Sequence, residues 1–145
     1  MRAVFLDTGA FYALADRRDR WHAPAVQTYE ALFVQYRLLT SEYVLVETWS
    51  LLRRRLGREV AHRFWTQLRS GFVELLGVEP EDHDRAYALN AAWPELDFSL
   101  VDLTSFALLE RLGLRTVFTF DRHFRVVRLG RDRNRALEVV PGAVG

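Results

Sequence analysis

The feature that most constrains this fold is a pair of short apolar runs that each stop at an aspartate. Ala3 to Leu6 ends at Asp7-Thr8-Gly9, and Thr116 to Phe120 ends at Asp121. Neither run alternates apolar with polar, so each reads as a strand buried on both faces. Helical stretches separate such runs along the chain. Helices are expected over Thr8 to Asp16 with Thr8 as the N-cap, His22 to Tyr36 with Pro24 in the first turn, Ser41 to about Leu56, and Glu59 to Ser70. Two more are expected from Pro80 to a stop before Pro94, and from Ser99 to Leu112 with Gly113 closing it. Shorter strands are expected at Leu38 to Thr40, Phe72 to Leu76 and Leu137 to Val140. Helices alternating with buried strands predict an α/β fold with a mostly parallel sheet covered on both faces. In open sheets of that kind ligands bind beyond the carboxyl ends of the strands, which directs attention to Asp7 and Asp121.

Composition narrows the chemistry. The 145 residues include no cysteine, and all 20 residues of the Lys+Arg total are arginine. Thiolate catalysis, disulfides and Cys-bound metals are therefore excluded, as are Schiff-base and P-loop lysines. Arginine as sole cation reflects either codon usage or bidentate binding of phosphate and carboxylate. The formal net charge is +1, so the chain is no polycation, yet arginines cluster at 17, 18 and 20, at 53–55 and 58, and from 122 to 135. No repeat or low-complexity linker divides the sequence, and residues 1–145 read as one domain. No apolar run approaches the roughly 20 residues of a membrane span, and the start is strand-like, so a cytoplasmic protein is expected.

Two acids sit where a helix least tolerates them. Asp102 shares a helix face with Phe106 and Leu109, although Ser99 and Asp102 also have the spacing of a capping box. Glu47 lies in mid-helix between Tyr43 and Leu51, where no cap needs it. Burying an unpaired carboxylate costs several kcal/mol, so each requires a partner. For Glu47 two readings stand: Arg54 pairs with it, or Asp7, Glu47, Asp102 and Asp121 converge on a divalent cation. An all-oxygen site selects Mg²⁺ or Mn²⁺ over zinc, and such ions bind phosphates and activate water. His22, His62 and His83 sit among polar residues, and His123, two past Asp121, is expected at the surface. Asp7 as the nucleophile of a phosphoaspartate phosphatase is a rival reading, weakened by the missing lysine.

Four segments carry a resemblance: Val4-Phe5-Leu6-Asp7-Thr8, Thr40-Ser41-Glu42-Tyr43-Val44-Leu45-Val46-Glu47, Asp97-Phe98-Ser99-Leu100-Val101-Asp102, and Thr119-Phe120-Asp121-Arg122-His123-Phe124. In this order they resemble the PIN-domain ribonucleases, and within them the toxin component of VapBC-type toxin–antitoxin systems. The resemblance implies a three-layer α/β/α sandwich and Mg²⁺- or Mn²⁺-dependent endoribonuclease activity. The family's acids fall on Asp7, Glu47, Asp102 and Asp121. Thr8, Ser99 and Thr119 supply nearby hydroxyls, and Asp97 is a secondary candidate. Glu42 lies on the other side of its helix. RNA would be the substrate, held by Arg17, Arg18, Arg20 or Arg122 in the absence of lysine. The basic segment Phe124 to Arg135 reads equally as an RNA-facing or a solvated loop. An antitoxin and a second copy of the chain are the implied partners. For the latter, Leu45, Trp49, Leu52 and Leu56 form a second apolar row, extended by Phe64, Trp65 and Leu68, which reads as core or as interface. A non-catalytic PIN-like module that binds RNA or protein is the alternative from another class.

Overall fold

The computed structural model describes residues 2–142; Met1 and residues 143–145 lie outside that range. The first half of the chain runs β1 (Arg2–Leu6), α1 (Thr8–Ala15), α2 (His22–Phe33), β2 (Tyr36–Ser41), α3 (Glu42–Leu56), α4 (Arg58–Arg69) and β3 (Glu74–Leu76). The second half runs α5 (Pro80–Ala92), α6 (Leu100–Leu112), β4 (Thr116–Phe118), α7 (His123–Val126) and β5 (Glu138–Val140). All four strand pairings are parallel, in the order β3-β2-β1-β4-β5. Val4, Phe5 and Leu6 are each fully buried, as are Val117 and Phe118. Successive strand residues point to opposite faces, so both faces of the sheet are covered, as the three-layer expectation required.

From β1 the chain steps outward to β2 and β3, then returns across the sheet to β4 and β5. The reversal falls between β1 and β4, which pair Leu6 with Phe118. The ladder is extended by one bond, from the Asp7 amide to the Phe118 carbonyl at 3.1 Å. Thr40 closes the other side by donating its hydroxyl to the Leu6 carbonyl at 2.8 Å. A crevice beyond the strand ends at such a reversal is the general place for a ligand in open α/β sheets.

Local chemistry explains the helix ends. Ser41 accepts from the Val44 amide at 3.1 Å and caps α3. In α6 the capping box is complete: Ser99 Oγ accepts from the Asp102 amide, and Asp102 Oδ2 from the Ser99 amide. Gly113 takes a left-handed φ of 66° and closes α6. No helix among the described residues is long and apolar enough to cross a membrane.

Several boundaries differ from expectation. Helix α2 stops at Phe33 and not at Tyr36, because Tyr36 is drawn into the ladder opposite Arg2. That pairing also lengthens β2 beyond Leu38 to Thr40. Strand β3 begins only at Glu74, where β2 offers a partner in Leu39. Thr8 is the first helical residue and Asp7 the N-cap, but the Asp7 side chain makes no capping bond. Strand β4 ends at Phe118, so Asp121 stands beyond two further residues and does not follow the strand directly. The segment Phe124 to Arg135 is anchored to the core, and its exposed arginines are compatible with both the RNA-facing and the solvated reading. Phe124, Val127 and Leu129 are fully buried, Leu129 bridges Arg135, and the exposed arginines ride on this packed turn. In the apolar row on α3, Leu52 is wholly buried while Leu45, Trp49 and Leu56 pack partly against the core. Phe64 and Leu68 are buried too, which leaves Trp65 of that set, and Val46 on α3, well exposed.

Candidate active site

Thr119 organises the acids. Its hydroxyl donates to Asp7 Oδ2 at 2.9 Å and accepts from the Asp121 amide at 3.0 Å, so one fully buried side chain ties the end of β1 to the segment after β4. This double role turns the chain out of the strand at Phe118 and swings Asp121 over the crevice. Asp121 then folds its own backbone: Oδ1 accepts from the His123 amide at 2.9 Å, an Asx turn that starts the single turn of α7. The turn aims the His123 ring back at the acids. Nδ1 lies 3.1 Å from Asp102 Oδ2 and 3.5 Å from Asp121 Oδ1. Phe98 packs edge-on against the ring at 5.1 Å.

The expected surface position of His123 is therefore corrected. The residue is half-buried and joins Asp102 and Asp121 in a group whose ligand atoms lie within 4.8 Å of one another. The Asp-x-His spacing was the one local hint, since an Asx turn returns the second following side chain toward its aspartate. Asp102 reaches the group from the first turn of α6, where it serves the capping box and the site together.

Asp7 is only 4% exposed, and Asp102 6%. Burial raises the Asp7 carboxyl to about 7 from its ordinary 3.8; Asp102 and Asp121 nearby push the same way, against the opposing hydrogen bond from Thr119. Asp102 is also raised, by burial and then by the charge of Asp121, with Ser99 and His123 opposing. No arginine bonds to any of these three carboxylates among the described residues. The Thr8 hydroxyl is buried beside Asp7 without a partner among them. Asp102 and Asp121 bring carboxylate oxygens together with the His123 ring nitrogen, and Asp7 and the orphaned Thr8 hydroxyl lie at the end of β1. This mainly oxygen donor set suits a hard divalent cation, with His123 either a ligand or the group that orients one.

Glu47 is half-buried on α3, which packs against α1, and makes no ion pair or side-chain hydrogen bond among the described residues. The Arg54 pairing is not formed, and Arg54 is exposed. Asp7 and Glu47 both stand outside the three-residue group, as does Asp97, which is exposed. The Ser99 hydroxyl is engaged in its cap. Arg17, Arg18, Arg20 and Arg122 are all exposed, the first three on the loop between α1 and α2 and the last beside Asp121. A groove of about 500 Å³ lies away from the acids, lined by Phe11, Tyr29, Val60, Phe64, Phe72 and neighbours from α1, α2, α4 and the turn before β3.

Comparisons with known proteins address the fold and the family. The 23S rRNA-specific endonuclease VapC20 of Mycobacterium tuberculosis is 31% identical over 121 residues, 83% of this chain and 91% of that protein. The crystal structure of Mycobacterium tuberculosis VapC20, described as a sarcin-ricin loop cleaving toxin, superposes with a TM-score of 0.77 at 29% identity, over 83% of this chain and 91% of that one. VapBC2 from Rickettsia felis, bound to a DNA fragment from their promoter, shares the fold with a TM-score of 0.70 at 15% identity, over 94% and 98% of the two chains. The PIN domain profile matches residues 4–129, a span holding all four expected acids. A parallel sheet whose reversal gathers unpaired carboxylates, together with these matches, establishes that the chain belongs to the PIN-domain family.

Proposed function

We propose that this chain is a Mg²⁺- or Mn²⁺-dependent endoribonuclease and the toxin of a toxin–antitoxin pair, with Asp7, Glu47, Asp102 and Asp121 as its metal ligands. One observation carries the reading: a buried carboxyl, Asp7, is crowded by two more acids and compensated by no cationic side chain. Evolved proteins neutralise buried charge, and a divalent ion is the compensation these oxygens suit. Bound there, the ion supplies Lewis-acid charge and lowers the pKa of a water for attack on a phosphodiester. The chain's own groups do the rest. Thr119 fixes the Asp7 carboxylate, and His123 and the Ser99 amide fix Asp102; Glu47, half-buried on α3, is assigned as the fourth ligand. Thr8 offers its free hydroxyl at the same end of β1. Arg122, Arg17, Arg18 and Arg20 hold the RNA backbone as bidentate phosphate donors.

The similarity to VapC20 supports RNA as substrate and makes 23S ribosomal RNA the first to try. The similarity to VapBC proteins supports a protein antitoxin as partner. A homodimer through the exposed Val46 and Trp65 of the α3–α4 pair belongs to the same reading, and a monomeric mass in light scattering would remove it. The central test is cleavage of ribosomal RNA with and without Mn²⁺. Asp7→Asn is expected to lower the rate by about two orders of magnitude or more, and EDTA to abolish it. Wild-type rates in either case would defeat the assignment. RNA bound but never cut would leave a non-catalytic RNA-binding module in its place.

A further inference from the structure

An aromatic stack stands beside the acids and takes no part in holding them. Phe120 sits between Thr119 and Asp121, so its backbone is fixed by the Thr119 bridge. Its ring lies parallel to that of Trp21, with centroids 5.4 Å apart and planes 6° apart. The Arg20 guanidinium continues the stack, 4.5 Å from the centre of the same indole. Trp21 and Phe120 are only partly buried and Arg20 is exposed, so the stack runs from the crevice to the surface. Arg17 and Arg18 are exposed on the same loop.

That loop is rigidly built. Asp19 Oδ2 accepts from the Trp21 amide at 3.0 Å, and Asp16 accepts from the Arg18 amide at 3.0 Å and the Tyr12 hydroxyl at 2.7 Å. His22 Nδ1 bonds the Ala13 carbonyl at 2.7 Å. The first turn of α1 comes close to Phe120, for a methyl placed on Gly9 would lie 3.7 Å from the Phe120 amide nitrogen. The indole is thus held before any ligand arrives, which lowers the ordering cost of binding to it.

Carboxylates, a divalent ion and arginines all address phosphate, and phosphate contacts carry no base identity. Single-stranded RNA is read mainly by splaying bases onto aromatic faces and guanidinium planes. We propose that Phe120, Trp21 and Arg20 form a nucleobase-stacking subsite that seats one unpaired base of the RNA beside the phosphodiester at Asp7 and Asp121. The subsite rests on the ribonuclease reading. Arg20, on a flexible exposed stem, yields the indole face to the base and turns to the adjoining phosphate.

The experiment uses short single-stranded oligoribonucleotides, intact or lacking one base at each position in turn. The full chain in an Asp7→Asn background holds RNA without cutting it, and affinity is read by fluorescence anisotropy. Removal of one particular base is expected to weaken binding roughly 5- to 150-fold. Adding Trp21→Leu should give the same loss with the intact oligomer and no further loss with the abasic one, whereas Trp21→Tyr should keep the discrimination. Discrimination unchanged in Trp21→Leu, or no base whose loss matters, overturns the subsite and leaves the ribonuclease reading standing. If the parent binds no RNA, both fall. Should Trp21→Leu fail to fold, quenching of tryptophan emission by the intact but not the abasic oligomer decides the matter in the parent, and equal quenching overturns the subsite.

Discussion

Helix α6 carries an acid at each end, Asp102 buried and Glu110 partly buried, and the two ends are treated oppositely. At its C-terminal end Glu110 receives both Nε and Nη2 of Arg85, at 2.7 and 3.1 Å, and the Gly130 amide at 2.9 Å. The next residue, Arg111, grips Asp82 of α5 in the same bidentate way at 2.8 and 3.0 Å. Burial alone would raise Asp82 and Glu110, but the arginines outweigh it and hold both below the usual carboxylate range. At the N-terminal end Asp102 faces Asp7 and Asp121 with one histidine and no arginine, and burial prevails. A chain with 20 arginines had cations to spare. Carboxylates gripped by arginine fasten α5 to α6, and those without an arginine gather at the crevice, where the proposed ion would bind.

The contrast can be broken by opposite signs of stability in metal-free protein. Asp82→Asn strips Arg111 of its charge partner and should cost roughly 2–4 kcal/mol, whereas Asp7→Asn relieves repulsion and should leave stability equal or higher. Urea unfolding in EDTA measures both, and a loss in each would show that the acid site stabilises the fold as the ion pairs do. The pH dependence sharpens the same point. Asp7 ionises near 7 when folded but near 3.8 when unfolded, so its contribution is complete below about pH 4 and is lost as pH rises to about 7. Between pH 5 and 7 that loss is on the order of 2 kcal/mol and should vanish in Asp7→Asn. Asp82 runs the other way: its contribution is present above its ordinary 3.8 and disappears as pH falls below it. The smallest effect is ligation itself. Saturating Mn²⁺ should raise the melting temperature by about 3–6 °C at pH 7.5, in Asp82→Asn as in wild type but not in Asp7→Asn. Equal shifts in all three would place the ion elsewhere.

What could be read from residues alone followed from local rules. Unalternating apolar runs identified β1 and β4, the aspartates closing those runs pointed to the crevice although β4 itself ends at Phe118, and the Ser99–Asp102 box and the Ser41 cap were visible as spacing. Glu47 was conspicuous because a mid-helix acid on an apolar face has no local explanation. The misses share a different origin. Tyr36 entered a strand because Arg2 pairs with it, and β3 shortened because β2 offers it only three partners. His123 was misjudged because its direction depends on how Thr119 turns the chain, and the parallel rings of Trp21 and Phe120 come from distant segments with no shared period.

The bond between Thr119 and Asp7 joins residues 112 positions apart. During synthesis the aspartate emerges 112 residues before its hydroxyl partner. Until β4 docks beside β1 there is no crevice, whatever helices have already formed, and closing so long a loop belongs to the slow, late part of folding. A chain that stalls on the ribosome before Thr119 carries every helix from α1 to α6 and no assembled site. The crevice therefore exists only once the two halves of the sheet have met.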